Sequence, residues 1–148
     1  MAKVISTSIR IHASAETVWQ VVTDTARYPE WNPFITRLEG ELKVGNRIKV
    51  KIQKMTFKPV ILVCDSAREL RWLGSLGIKG IFDGEHAFLI TDQGDGSVVF
   101  EQREKFTGLL TSLFSGMLEK DTLPGFRQMN EKLKDQAESM YNITTNPA

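Results

Sequence analysis

The sequence predicts an α+β fold in which a curved antiparallel sheet of about seven strands wraps around one long C-terminal helix, with two short helices after the first strand. Three observations carry this prediction. Apolar and polar residues alternate in residues 3–12 and again between residues 35 and 106, as in half-buried strands. After residue 108 the apolar residues recur with helical spacing. Only this last segment is long enough to cover the apolar face of such a sheet.

The first strand and the first helix follow each other closely. "KVISTSIRIH", residues 3–12, places its isoleucines on one face and its serines and arginine on the other, which predicts a half-buried strand. Ser14 stands at the N-cap position of a short helix. Its apolar stripe consists of Ala15, Val18, Trp19 and Val22.

The stretch "RYPEWNPFI", residues 27–35, combines two prolines with three aromatic residues. Pro29 and Pro33 exclude a long helix because proline lacks an amide donor and restricts the residue before it. We expect one or two short helical turns here. The stiffness and apolarity of the stretch indicate a plug or lid at the mouth of a gap between the sheet and the C-terminal helix.

The middle of the chain predicts the remaining strands. "RIKVKIQ" alternates most regularly, "FKPVILVCDS" and "RELRWLGSL" (68–76) give two more strands, and Pro59 indicates an edge or an irregular entry. "GEHAFLIT" and "SVVFEQREKF" flank a turn at residues 92–96, which predicts a hairpin.

The C-terminal helix carries two apolar stripes that are out of phase, one through Leu113 and one through Phe126. We expect a kink or a restart at "KDTLPG", where Asp121 could cap the second segment. The domain prediction is one domain over residues 1–142, followed by a disordered tail over residues 143–148.

Composition excludes several classes of protein. The 148 residues suit one domain, and 19 basic against 18 acidic residues give a net charge of +1 without a basic block, so we expect no nucleic-acid partner. The only cysteine, Cys64, allows no intramolecular disulfide, which suits a reducing compartment. No apolar run reaches the roughly 20 residues that span a bilayer, and the N-terminus lacks a signal-peptide core. These observations predict a cytoplasmic protein without membrane insertion.

Two histidines and one cysteine give no metal-binding spacing, and the glycines of residues 74–84 form no phosphate loop. The sequence therefore predicts no metal and no cofactor. Whether the protein is a monomer or a dimer stays open.

One set of polar side chains in the sequence suggests a binding or catalytic role: His86, Gln102 and Glu104. Strand alternation and the predicted turn place them on the inward face of the hairpin, within cross-strand contact. Burying them without partners would cost a few kcal/mol. They could form a network that satisfies itself, contact a polar group of a ligand, or act in catalysis, with His86 and Glu104 as a general base for enolisation and aldol closure. All three interpretations stay open.

Aromatic residues and one methionine are candidates for the walls of a cavity. Each could equally be packed in the core, which is usual for buried aromatic residues. Met129, like Met117, would suit a pocket that changes shape. The candidate ligand-binding residues, beside His86, Gln102 and Glu104, are Trp31, Phe34, Trp72, Phe88, Phe100, Phe126 and Met129.

Several strings resemble the START-like, or SRPBCC, superfamily, and in particular its polyketide cyclase/dehydrase-like branch. They are "ASAETVWQVVTDTARYPEWNPFI", "LRWLG", "FDGEHAF", "FTGLL" and "EKDTLPGFRQMNEKLK". The resemblance implies a helix-grip fold with a cavity for a hydrophobic or aromatic small molecule. It supplies no catalytic set that can be carried over residue by residue.

Three functions follow as expectations. The first is binding or carriage of a hydrophobic or aromatic small molecule between the sheet and the C-terminal helix. The second is a cyclase or dehydrase acting on a polyketide-like or aromatic substrate through His86 and Glu104, which requires both groups to face open cavity volume. The third is a protein-partner-binding module, which requires a closed core and an apolar outer face.

Overall fold

The structure, a computed structural model, describes residues 2–75 and 77–145 and confirms the α+β class. Within these ranges the structure contains eight strands and three α-helices, in the predicted order of one strand, two short helices, a run of strands and one long helix. In chain order they are β1 (Lys3–Ile11), α1 (Ala15–Thr23), a 3-10 turn (Thr25–Arg27), α2 (Tyr28–Trp31), β2 (Ile35–Glu39), β3 (Lys49–Ile52), β4 (Met55–Phe57), β5 (Val60–Asp65), β6 (Glu69–Ser75), β7 (Asp83–Asp92), β8 (Val98–Thr107) and α3 (Thr111–Thr145).

The strands form two antiparallel sheets instead of one sheet of about seven strands. The first has the order β1-β8-β7-β6-β5 and the second the order β2-β3-β4. The predicted strand over residues 57–66 is divided between them because Pro59, which has no amide donor, separates β4 from β5. Residue 76, the last of the predicted strand 68–76, lies outside the described residues.

A short seam joins the two sheets beside β5. The amides of Gly45 and Ile48 donate to the carbonyls of Ile61 and Pro59, and the amide of Ile61 donates to the carbonyl of Asn46, each at 2.9 Å. The sheets therefore continue into each other and curve around a common interior.

The N-terminal predictions are confirmed in detail. Ile5 and Ile11 of β1 are buried while Ser6 and Ser8 are exposed. The hydroxyl of Ser14 accepts a hydrogen bond from the Thr17 amide at 3.2 Å, so Ser14 caps α1.

Residues 27–35 are anchored to the core by four buried residues, Tyr28, Asn32, Phe34 and Ile35. Of this stretch only Phe34 lines the cavity, so it does not form the predicted plug or lid at the mouth. Tyr28 is fully buried, and its hydroxyl donates to the Val22 carbonyl. The side-chain oxygen of Asn32 accepts from the amides of Phe34 and Ile35, both at 2.9 Å. These hydrogen bonds give the polar groups of the turn partners within the protein, so Tyr28 and Phe34 can be buried.

Helix α3 continues through Pro124 without the predicted restart. The proline removes one backbone hydrogen bond, to the carbonyl of Lys120, and burial of the following residues outweighs that loss. Phe126, Met129, Leu133 and Ala137 are fully buried, and α3 packs on β1, β8 and α1.

Helix α3 also extends beyond the predicted domain end at residue 142. The hydroxyls of Thr144 and Thr145 donate to the carbonyls of Met140 and Tyr141 at 3.0 and 2.9 Å. Residues 143–145, predicted as part of a tail, are therefore helical. Residues 146–148 lie outside the described residues. Within the described ranges, no helix combines the length and the apolarity needed to cross a membrane.

Candidate functional site

A cavity of about 460 Å³ lies between the two sheets and the first half of α3. Its size falls within the roughly 300–1,000 Å³ that small-molecule sites commonly have. Most of its wall is apolar. The aromatic wall residues are Phe34, Phe57, Trp72, Phe82, Phe106, Phe114 and Phe126.

The mouth of the cavity is marked by wall residues that are also exposed to solvent. Gln53 and Met55 lie on the β3–β4 side. Leu110, Met117 and Asp121 lie on the α3 side. A ligand would therefore enter between the β3–β4 turn and the N-terminal half of α3.

His86 stands on the cavity wall with a polar partner at each ring nitrogen. The register of β7 and β8 places it directly opposite Glu104, and its Nδ1 is hydrogen-bonded to Glu104 Oε2. Its Nε2 lies 3.0 Å from Gln102 Oε1. The Trp72 ring stacks on the imidazole with a centroid distance of 5.1 Å and an interplanar angle of 13°. Both the ring plane and the hydrogen-bond directions of His86 are thus fixed.

The partners of Gln102 determine which nitrogen of His86 carries a proton. The Gln102 side-chain nitrogen donates to the backbone carbonyl of Phe126 at 3.4 Å and to Asn130 Oδ1 at 2.9 Å. A carbonyl can only accept, so Gln102 turns its oxygen toward His86, and His86 Nε2 must donate. One further proton then lies between His86 Nδ1 and Glu104, and the pair as a unit is neutral.

Gly84 makes room for the carboxyl group of Glu104. A Cβ atom at position 84 would lie 2.5 Å from Glu104 Oε1. The Glu104 side chain is 18% exposed, and both residues line the cavity. Oε2 is engaged with His86, whereas no hydrogen bond from the described residues reaches Oε1.

The structure brings five of the predicted site residues to the cavity: Phe34, Trp72, His86, Glu104 and Phe126. The other five predicted residues do not line the cavity. Phe88, Phe100, Gln102 and Met129 are buried in the core beyond the wall, and Gln102 contacts the wall residue His86. Trp31 lies in a shallow crevice with Met140 on the other side of α3. Strand alternation gives the face on which a residue lies, but not the depth at which the covering helix closes the cavity.

The sequence interpretation missed several wall residues. Phe106 shares the face of Glu104 on β8, two positions on, so alternation alone could have included it. Phe114 belongs to the apolar stripe of α3 that passes through Leu113 and lines the cavity. Phe57 and Phe82 lie at or beside strand ends, where periodicity carries little information.

No grouping of three His, Cys, Asp or Glu side chains that could hold a metal ion occurs in residues 2–75 and 77–145. The ionisable side chains among the described residues of the cavity wall are His86 and Glu104, with Asp121 at the mouth.

Solved structures with this fold include proteins of different activities. The di-domain ARO/CYC StfQ from the steffimycin biosynthetic pathway matches with a TM-score of 0.77 and 14% identity over 95% of this chain and 52% of StfQ. A point mutant of norcoclaurine synthase from Thalictrum flavum matches with a TM-score of 0.73 and 16% identity over 95% of this chain and 96% of the enzyme. A START superfamily protein from Mycobacterium smegmatis matches with a TM-score of 0.72 and 19% identity over 93% of this chain and 98% of that protein.

These similarities confirm the START-like fold predicted from the sequence. A search among curated proteins finds no match. The sequence model of one family, described as polyketide cyclase/dehydrase and lipid transport, matches residues 2–138. Because this match spans nearly the whole chain, the chain belongs to the polyketide cyclase/dehydrase and lipid transport family.

Proposed function

We propose that the protein binds a hydrophobic or aromatic small molecule in the cavity between its sheets and α3, with His86 and Glu104 at the polar end. The observation that carries the proposal is the cavity itself, about 460 Å³ in volume and walled mainly by aromatic and aliphatic side chains. An apolar ligand that entered it would remove this surface from water, which is favourable by about 25 cal/mol per Å². Carriage of the ligand is the simplest use of such a site.

A saturable fluorescence titration with N-phenyl-1-naphthylamine, a neutral apolar probe, tests the proposal. Phe114 lines the cavity, whereas its neighbour Leu113 is 74% exposed and does not. We expect Phe114→Ala to weaken probe binding about three- to ten-fold because it removes ring contacts. The matched control, Leu113→Ala, should bind the probe like the unmodified protein.

Native mass spectrometry of the protein purified from its own host, followed by organic extraction, would supply the natural ligand. A stoichiometric apolar compound would support the proposal. An empty protein that also gives no saturable probe titration would refute it.

Catalysis is the second candidate function, and the His86–Glu104 pair favours it. Both groups face the cavity, as an enzyme of the cyclase or dehydrase type requires, and the proton between them could be exchanged with a bound substrate. The test is turnover of the extracted ligand. If the pair is catalytic, His86→Ala and Glu104→Gln should lower kcat by about a hundred-fold or more while the ligand still binds.

The partner-binding alternative is less well supported. It required a closed core, whereas the cavity is open at its mouth. It also required an apolar outer face, whereas the outward-facing residues of the strands include Lys49, Lys51, Arg103 and Lys105.

A further inference from the structure

We propose that the cavity selects ligands that end in a neutral hydroxyl group, a phenol or an alcohol, and rejects ligands that end in a carboxylate. This inference rests on the proposed binding function and names the chemical class of the ligand. In it, the ligand hydroxyl donates a hydrogen bond to Glu104 Oε1.

The charges of the cavity wall exclude an anionic end group. Among the described residues that line the cavity, the ionisable side chains are His86, Glu104 and Asp121, and there is no lysine or arginine. The imidazole of His86 already uses both nitrogens, toward Glu104 and Gln102. A buried carboxylate would therefore find neither a cationic partner nor a free side-chain N–H of His86 in the wall, which is strongly unfavourable.

A free acceptor atom is available at the same place. His86 bonds Glu104 Oε2, while no hydrogen bond from the described residues reaches Oε1. Oε1 fits closely against position 84 because that residue is a glycine, and both Gly84 and Glu104 line the cavity. A hydroxyl donor placed there would form a charge-assisted hydrogen bond, one of the strong types.

An ammonium end group fits less well than a hydroxyl. The His86–Glu104 pair holds one proton and is neutral as a unit, so it gives little compensation for taking a cation out of water. A neutral donor gains the hydrogen bond without that desolvation cost.

Three probes that share one ring system separate the effect of a hydroxyl group from that of an anionic group: naphthalene, 2-naphthol and 2-naphthoate. Equilibrium dialysis near neutral pH, with absorbance readout, compares the affinities of the three probes. At this pH naphthalene has no polar group, 2-naphthol has a neutral hydroxyl and 2-naphthoate has a carboxylate. We expect 2-naphthol to bind about ten-fold or more tightly than either of the other two, the ratio that one hydrogen bond to a charged group supports.

Two variants assign the preference to Glu104. Glu104→Leu removes the acceptor and should lower 2-naphthol binding to the level of naphthalene, with naphthalene binding little changed. Gly84→Ala keeps the carboxyl group but places a methyl group against Oε1, and it should lose the same preference even if Glu104→Leu does not fold. The control, Gly116→Ala, adds its methyl group where nothing lies within 4 Å and should keep the preference.

The outcomes separate the two proposals. If naphthalene binds but 2-naphthoate binds as tightly as 2-naphthol, or if Gly84→Ala keeps the hydroxyl preference, the selectivity proposal is wrong and the binding function stands. If none of the three probes binds, both proposals fail.

Discussion

The buried phenol of Tyr28 links the start of α2 to the end of α1. Its hydroxyl donates to the carbonyl of Val22, in the last turn of α1, where carbonyls lack helical partners. Burial, with a smaller contribution from the nearby Asp24 carboxylate, raises the pKa of Tyr28 well above its usual value. The folded protein therefore keeps this side chain neutral at a pH at which the unfolded chain would ionise it.

This linkage predicts a loss of stability at alkaline pH. The contribution of Tyr28 is complete below the unfolded pKa of about 10 and falls above it, by about 1.4 kcal/mol for each pH unit, until the folded pKa is reached. Urea unfolding at about pH 8 and pH 11 measures the difference. Tyr28→Phe should cost about 1 kcal/mol at the lower pH through the lost hydrogen bond and should show a smaller decrease toward the higher pH.

Tyr141→Phe serves as the control, since Tyr141 is only partly buried, and should keep the alkaline decrease of the unmodified protein. An equal decrease in Tyr28→Phe and in the unmodified protein would show that the buried phenol does not cause it.

Helix α3 consists of two halves with different surroundings. After Pro124 the helix is anchored by fully buried side chains such as Phe126 and Leu133. Before Pro124, Leu113 and Met117 are mostly exposed, and Phe114 and Leu118 border the cavity. The second half therefore holds the fold together while the first half forms one wall of the site.

Two glycines of α3 allow these roles to be tested separately. A Cβ atom at Gly125 would lie 2.5 Å from Phe34 Cδ1, so Gly125→Ala forces the Phe34 ring, which lines the cavity, to shift. We expect about ten-fold weaker binding of N-phenyl-1-naphthylamine. Gly116→Ala meets no atom within 4 Å and should raise the free energy of unfolding by about 0.5–1 kcal/mol through helix propensity, without affecting the probe. Unchanged affinity in Gly125→Ala would contradict this role of Phe34.

At the scale of elements, the hairpin could be predicted more fully than the rest. Alternation predicted the inward face of β7 and β8, and the glycine-rich turn limited their register to a few possibilities. The sequence therefore placed His86 opposite or diagonal to Glu104, and the structure shows that they are opposite. Pro59 indicated an irregularity, but not that it would separate two sheets. The continuous α3 was missed because the burial that outweighs Pro124 comes from β1, β8 and α1, which lie far away in the sequence.

At the scale of the whole molecule, the sequence indicated a cavity but not its extent. Five of the ten predicted ligand-binding residues line it, because the closing surface is set by where α3 crosses the sheet. Phe88 and Phe100 share the inward side of the hairpin with His86 but lie where the core is filled. The mouth could not be predicted, since it depends on which parts of β4 and α3 remain exposed.

The seam beside β5 joins the two sheets through few hydrogen bonds. The three-stranded sheet is joined to β5 by the three backbone hydrogen bonds of Gly45, Ile48 and Ile61, while the pairings within each sheet do not depend on them. Opening this seam would move one wall of the cavity outward and leave both ladders intact. A ligand wider than the resting cavity would therefore be admitted at the cost of a few amide bonds and not of the fold.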